Sequence, residues 1–458
     1  MASQPIDDTN REFALVVYGA TGFTGSLVAE HLCRYYLAED GDFRVKFALA
    51  GRSMSKLQEV RRRVCANVKR QNCEQLIPLI VADSADEESL VRMCSRTRAI
   101  VTTVGPYLQY GEPLVRACVD ARTHYCDLVG EMPFIVKMSN KYGALAAERG
   151  VKIVHCCGFD SVPSDLGVLL AEETALRVAK APCETVRSHK ALCVCVRLFV
   201  SCSKVKTAVI SAKGSVSGGT IASLLGVSGS DGLGGNPYYL MERAFPEGKS
   251  VTRPTEAAPR VRFVSYDKDF GYGAFFVMGA LNENVTRWSN ALMNFKYGKN
   301  FKYHEMVAAP DQGFFTAAFI SLFTYLSLFV IKVKPLRSLL FALGVLPKPG
   351  EGPSRKTMES GSFEMKTIGR TSPNTASGSR VLRVSVSLGS KQGDPGYHET
   401  AKMLAEAGLC MALQLDSCTR LCGVCSPAAG IGTVLKDRLA DKGFFFNIET
   451  AEEDAGQK

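Results

Sequence analysis

Val16-Val17-Tyr18-Gly19-Ala20-Thr21-Gly22-Phe23-Thr24-Gly25 is the stretch that decides the fold. Residues 13–18, before the glycines, are apolar and β-prone; residues 26–37, after them, carry apolar side chains at helical spacing. A strand that turns through glycines into a helix leaves the first N–H groups of that helix unpaired. With the positive end of the helix dipole they form a seat for a diphosphate. Gly19 suits the tight turn, Gly22 lets backbone approach the phosphates, and Gly25 lets helix and strand pack closely, with Ala20, Thr21, Phe23 and Thr24 completing the loop. The competing reading, a glycine-rich turn with no ligand, is opposed by the flanking strand and helix.

Working outward, strands are expected over 44–50, 76–82, 99–104, 124–128 and 151–157. Helices are expected from Ser53, a good N-cap, and over 86–94, 112–120 and 133–149. This alternation predicts right-handed βαβ units, a Rossmann-type doubly wound parallel sheet of the α/β class, with ligands at the carboxyl ends of its strands. Beyond residue 160 the alternation loosens. Strands are expected over 191–199, 204–210, 363–368 and 381–387, and a helix opening at Ser217-Gly218-Gly219-Thr220. Residues 226–237 and 369–379 read as loops. Helices are expected over 400–413 and 430–442 with an edge strand at 444–448, so the second domain is α+β.

The end of the second strand selects the cofactor. Sheets that bind NAD usually place Asp or Glu there, on the ribose hydroxyls. This chain has Gly51-Arg52-Ser53, with Lys56 a turn later. A carboxylate would repel a 2′-phosphate, whereas Arg52 and Ser53 would hold it, so NADP(H) is predicted over NAD(H). Asp83-Ser84 ends the third strand in the same row of loops. Val104-Gly105-Pro106 ends the fourth, where small residues would admit the nicotinamide.

The 458 residues suffice for two or three domains, and 46% apolar with 22% charged residues is a globular composition. A net charge of +10 favours anionic partners such as a phosphorylated cofactor or a membrane surface. Nucleic acid is not expected, because no basic stripe is interleaved with aromatics; Arg61-Arg62-Arg63 reads as a solvated helix face. The 16 cysteines are scattered behind a polar N-terminal stretch and read as reduced thiols facing the cytosol. Cys418, Cys422 and Cys425 contain one Cys-x-x-Cys without a second pair, so no metal is predicted.

Residues 313–331 carry no charge and are rich in Phe, Leu and Ile. Lys332, Lys334 and Arg337 follow, and a second apolar run covers 338–346. Such a length can span a bilayer core. The alternative is a helix buried in the core or in a dimer interface. A single span would place two halves of one enzyme on opposite sides, so a hairpin or interfacial anchor with its basic cluster at lipid headgroups is preferred.

Gly-Ala-Thr-Gly-Phe-Thr-Gly (19–25), Ala-Gly-Arg-Ser (50–53), Val-Gly-Pro-Tyr (104–107), Tyr-Gly-Glu-Pro (110–113) and Gly-Phe-Asp-Ser-Val-Pro-Ser-Asp-Leu-Gly (158–167) resemble the saccharopine dehydrogenase-like oxidoreductases. Ser-Gly-Gly-Thr (217–220), Gly-Asp-Pro-Gly-Tyr (393–397) and Ser-Pro-Ala-Ala (426–429) are similar to its branch of trans-acting enoyl reductases, which act in lipid and glycolipid biosynthesis. The apolar segment is similar to that of animal members associated with lipid droplets. The resemblance covers almost the whole chain, most loosely over 226–310, and does not imply lysine metabolism. It implies three parts: an NADP-binding domain at 1–157, a substrate domain at 158–398 that contains the apolar segment 313–346, and C-terminal elements at 399–458 packing back on the core. It also implies a hydrophobic or lipid substrate and a lipid-droplet or endoplasmic-reticulum surface facing the cytosol, with a cytoplasmic protein as the alternative. A homodimer is compatible with the sequence.

By position, Tyr107 could pack on the nicotinamide or donate a proton, or be a buried structural tyrosine. Asp127 and Glu131 face the same cleft, and Asp160 and Ser161 come next. Ser164 or Asp165 could cap a helix, and His124 and His155 read as core histidines. Residues 275–278 and 314–329 could guide an apolar substrate. No Ser-x-x-x-Lys or Tyr-x-x-x-Lys signature fixes a proton donor. The readings left open are an NADP(H)-dependent reductase of lipid-type substrates, a non-catalytic NADP-binding scaffold at a membrane, and a soluble amino-acid reductase.

Overall fold

The computed structural model describes residues 11–37, 45–69, 73–179, 204–214, 236–244, 263–347, 351–371 and 380–454. The strand expected over 191–199, the helix opening at 217–220, and the loops at 226–237 and 369–379 for all but their first or last residues lie outside these.

The first half runs β1 (Phe13–Tyr18), α1 (Phe23–Tyr36), β2 (Phe47–Gly51), α2 (Met54–Val68), α3 (Cys73–Leu76), β3 (Leu79–Val81), α4 (Glu87–Cys94), β4 (Thr97–Thr102), α5 (Tyr107–Asp120), β5 (His124–Cys126), α6 (Met132–Glu148), β6 (Lys152–Val154) and α7 (Val162–Ala179). Then follow β7 (Lys204–Lys213), α8 (Tyr239–Arg243), β8 (Val264–Asp267), β9 (Gly271–Ala274), α9 (Gly279–Leu292), β10 (Lys302–Ala308), α10 (Phe314–Lys332), α11 (Lys334–Ala342) and α12 (Arg355–Glu359). The chain closes with β11 (Ser362–Arg370), β12 (Arg380–Ser390), a π-turn (Pro395–Glu399), α13 (Thr400–Leu413), β13 (Gly423–Cys425), α14 (Pro427–Gly430), α15 (Val434–Ala440) and β14 (Phe444–Asp454).

The first sheet has seven parallel strands in the order β13-β6-β5-β4-β1-β2-β3. The order reverses direction between β1 and β4, which opens a crevice above their carboxyl ends. β1, β2 and β4 are almost wholly buried because helices cover both faces, which is why they read as continuous apolar runs. Three expected strands are much shorter than their apolar runs: β3 begins at Leu79 because Cys73–Leu76 is helical, β5 stops at Cys126, and β6 covers only Lys152–Val154. The three residues of β13, from far down the chain, complete the sheet beside β6.

The second sheet is mixed, in the order β14-β12-β11-β7-β10-β9-β8; only β7 and β10 run parallel. α7 packs across β11 and β12, and α13 lies on β1, β4 and β5 beside α1. One apolar core therefore runs from Leu15 and Val17 through Leu166 and Leu404 to Val205, Val384 and Leu388 without a break. Ser164 and Asp165 sit inside the first turn of α7 rather than capping it. The expectation that every cysteine is a free thiol is corrected at Cys65 and Cys73, which form a disulfide between α2 and α3; ten other described cysteines are free.

α10 is the one helix, among the described residues, long and apolar enough to cross a membrane. It is not a core helix. Only Ala317 and Ser321 are buried, while Phe315, Phe319 and Phe323 are 87%, 70% and 63% exposed. α11 continues the face with no buried residue and with Leu339 exposed.

Candidate functional site

The glycine turn is built for close approach. Gly19 has φ +86°, and a Cβ there would meet Val104 Cγ2 at 2.7 Å and Thr103 Oγ1 at 2.9 Å. A Cβ on Gly25 would stand 2.2 Å from the Gly19 carbonyl oxygen, so helix and strand come together only with hydrogen at that position. Thr103, which the sequence reading passed over, donates from Oγ1 to the Gly19 carbonyl at 3.2 Å and ties the end of β4 to the turn. α1 starts after Gly22 with no side-chain cap and no acidic residue in its first turn. Its first N–H groups thus remain directed at the crevice, which fits an anionic diphosphate. Ala20 is buried, Thr21, Phe23 and Thr24 are half-buried, and Phe23 rests edge-on against Tyr397 at 5.4 Å between centroids.

At the end of β2, Ser53 caps α2, accepting from the Lys56 N–H at 3.4 Å. Arg52 and Lys56 are exposed, and neither has a carboxylate within ion-pair distance among the described residues. A guanidinium at a helix N-terminus without an anion is electrostatically uncomfortable, and a 2′-phosphate would relieve it. Asp83 accepts from the Ala85 N–H at 3.0 Å and Ser84 is half-buried, both beside the Tyr18 hydroxyl; burial raises the Tyr18 pKa above its usual value. These residues form the β2–β3 side of the crevice. Val104, exposed Gly105 and Pro106, joined by a cis peptide, form the far side.

The expected acid–base residues divide into two groups. Three of them are committed to the fold. The Glu131 carboxylate, 2% exposed, accepts from the N–H of Tyr107 at 3.0 Å and of Leu108 at 2.9 Å, so it caps α5. The Tyr107 hydroxyl donates to the Thr102 carbonyl at 3.3 Å and accepts from the Leu128 N–H at 3.2 Å, and burial raises its pKa well above the tyrosine range. Asp127 is fully buried. Its Oδ2 accepts from the Tyr125 hydroxyl at 2.8 Å and lies 2.7 Å from His155 Nδ1; its Oδ1 accepts from the N–H groups of Val129 at 3.1 Å and Cys156 at 3.2 Å. That clamp holds Cys156 at φ +63°, a strained position for a non-glycine residue at the end of β6. His155 is a core histidine, as expected. So is His124, whose Nδ1 accepts from the Lys152 N–H and whose pKa burial lowers to about 3.

Asp160 and Ser161 are the second group. Asp160 opens on solvent, yet protein crowds it on its other sides and pushes its carboxyl up to about 6. Ser161 is buried and donates to Asn282 Oδ1 at 3.1 Å. Sequence reasoning missed the residues that α9 and β10 bring here. Leu281 packs over Gly130, with its Cδ2 3.7 Å from where a Cβ of Gly130 would stand. Ser164 donates to Glu305 Oε1 at 2.6 Å. Asp165 accepts from the Ser289 hydroxyl at 2.6 Å and the Ala428 N–H at 2.8 Å, and burial raises its carboxyl to about 6. The motif Ser426-Pro427-Ala428-Ala429 therefore secures the start of α7, and the acids inside 158–167 were its only local signal. Phe275, expected to guide substrate, stacks on Tyr325 of α10 at 4.6 Å.

Comparison with known proteins agrees with this geometry. The family described as "Saccharopine dehydrogenase NADP binding domain" matches residues 15–154. The chain is 33% identical over 451 residues to the trans-acting enoyl reductase of Mycobacterium ulcerans (strain Agy99), covering 96% of this chain and 98% of that protein. It is 36% identical over 448 residues to a Mycobacterium tuberculosis (strain ATCC 25618 / H37Rv) protein provisionally named a trans-acting enoyl reductase, covering 95% and 97%. Among solved structures, apo histidine-tagged saccharopine dehydrogenase (L-Glu forming) from Saccharomyces cerevisiae aligns over 95% of this chain and 99% of its own, at 12% identity and TM-score 0.47. That superposition is too loose to carry a residue assignment.

Proposed function

The chain belongs to the saccharopine dehydrogenase-like oxidoreductases, together with the trans-acting enoyl reductases, and from that premise we propose that it reduces a C=C or C=O bond of a hydrophobic, lipid-type substrate at a lipid surface. It is an oxidoreductase and its cofactor is NADP(H). When bound, NADPH supplies the hydride. The residues that would hold it are the glycine turn 19–25, Arg52 with Ser53 and Lys56, and Val104 to Pro106. Asp160 is the residue of the expected set that can exchange a proton with the cleft, because it alone opens on solvent there. Tyr107, Asp127 and Glu131 position the walls, each acting through backbone or a neighbouring side chain.

The observation that carries the lipid part is the exposure of α10 and α11. Among the described residues nothing covers Phe315, Phe319, Phe323, Phe329 and Leu343. Lys332, Lys334 and Arg337 follow the apolar face, an arrangement suited to apolar acyl chains beneath anionic headgroups. The enoyl part comes from the named relatives and is carried to this chain by similarity over nearly its whole length. A soluble amino-acid reductase would leave this face unused.

The second reading, a nucleotide-binding scaffold without turnover, draws on one observation: three of the five expected acid–base residues are saturated by internal hydrogen bonds. One experiment separates the two. Purified protein is incubated with NADPH and a cellular lipid extract. Consumption of NADPH that Gly22→Asp abolishes supports the reductase; NADPH binding without consumption supports the scaffold.

A further inference from the structure

α7, α9 and β10 enclose a polar cluster behind the cleft that no expected role accounts for. Glu305 stands on β10 and is 4% exposed. Its Oε1 accepts from Ser164 at 2.6 Å, and the amide of Asn282 lies beside the same carboxyl. Asn282 is also the acceptor for Ser161, at 3.1 Å, in the cleft. The other oxygen, Oε2, is buried and has no hydrogen-bond partner among the described residues. Glu305 lines a narrow recess with Phe275, Phe276, Gly279, Glu283 and His304, which has room for roughly one water molecule. A buried carboxyl with one bare oxygen and no cation against it is costly as an anion and comfortable as an acid.

We propose that Glu305 is a positioning residue that stores the proton accompanying hydride transfer and passes it toward the cleft through the Ser164 hydroxyl at the start of α7, while Asn282, held by Ser161, fixes the carboxyl in place. The inference rests on the reductase reading above. The balance is simple. The acceptor's double bond takes up one hydride, from NADPH, and one proton, from Glu305; NADPH becomes NADP⁺ and Glu305 becomes a carboxylate. The recess, next to the partly exposed His304, has room for a water molecule that would return the proton.

The surroundings support an acid that stays neutral until the nicotinamide changes charge. From α9, Glu283 faces it and raises its proton affinity, but is itself occupied by Arg287 at 2.9 Å and His304 at 3.0 Å. From its own strand come Tyr303 and His304; from α7, Ser164, with Asp165 turned toward Ser289; from β7, Thr207, bonded to Thr367 at 2.7 Å. Burial is the largest cause of a carboxyl raised to about 8. NADP⁺ carries a positive ring that NADPH lacks, and a positive charge in the adjoining cleft favours the carboxylate.

The test is proton linkage, not turnover. Calorimetric titration of the full-length protein with NADP⁺ and with NADPH at pH 8, in buffers of different ionisation enthalpy, counts protons released on binding. The expected result is greater release with NADP⁺ than with NADPH, a difference lost in Glu305→Gln while nucleotide affinity changes less than about threefold. An equal release for the two nucleotides, or a difference that survives in Glu305→Gln, overturns the proposal and leaves nucleotide binding intact. Failure of the unmodified protein to bind either nucleotide overturns both readings. If Glu305→Gln does not fold, carbon-13 NMR of the unmodified protein labelled at Glu decides: a carboxyl titrating near pH 8 must move to lower pH when NADPH is replaced by NADP⁺, and its absence overturns the proposal.

Discussion

Replacing Glu131 by Gln tests whether that carboxylate is a helix cap or a catalytic acid. In the structure both oxygens are committed, at 3.0 and 2.9 Å, to the first two N–H groups of α5, and the side chain is 2% exposed. An amide keeps one acceptor but turns an NH₂ toward the second N–H. One charge-assisted bond is lost, roughly 1.5–3 kcal/mol, together with the favourable placement of a negative charge at a helix start, up to about 1–2 kcal/mol. The expected loss is therefore on the order of 3 kcal/mol in unfolding free energy at pH 7. Urea denaturation followed by far-ultraviolet circular dichroism reads it as a lower midpoint with an unchanged slope. Because α5 begins directly after the Val104–Pro106 loop, NADPH affinity should fall with stability and recover in Glu131→Asp only partly. If the midpoint is unmoved while NADPH consumption disappears, the carboxylate is a proton donor and the capping argument is wrong.

Arg52→Asp should reverse nucleotide preference, weakening NADPH by about 10- to 100-fold, the value of one or two kilocalories of phosphate contact plus repulsion; thermal-shift titrations with NADPH and NADH check it, and an unchanged ranking refutes the role given to Arg52. The buried Glu305 makes stability depend on pH. Its folded-state carboxyl lies above the unfolded value, so the stability it contributes is complete below about pH 4.5 and is lost progressively as pH rises toward 8. Against Glu305→Gln, wild type should thus lose a few kcal/mol between those limits, read from denaturant midpoints at a series of pH values. Substituting Phe315, Phe319 and Phe323 together by Glu should leave the fold intact, since all three are exposed, and abolish flotation with vesicles containing anionic lipid; retained flotation would remove α10 as the contact.

The first sheet was readable because each of its early strands is a local apolar run closed by Gly, Ser or Asp, and Thr400–Leu413 was a helix of the expected bounds. α7 showed only as a helix that Ser164 or Asp165 could cap, without bounds, because it is buried on nearly all sides and includes the buried acids Asp165 and Glu172, so it has no amphipathic period. β13 was missed because three residues carry no period; only pairing with β6 makes them a strand. In the site, Gly19, Gly25 and Ser53 announce their tasks by local geometry. Asp127 and Glu131 announce only their position, since their partners, His155 and the α5 backbone, are set by tertiary contacts. The apolar composition of α10 was plain, but its exposure depends on what the other described elements leave uncovered.

The late strands carry a consequence for biosynthesis. β13 and β14 seat the outermost rows of two different sheets, and both follow α10 in the chain. During translation the greasy helix emerges while β6 still awaits β13 and before β11, β12 and β14 have been made, so either sheet is closed only after this helix has left the ribosome.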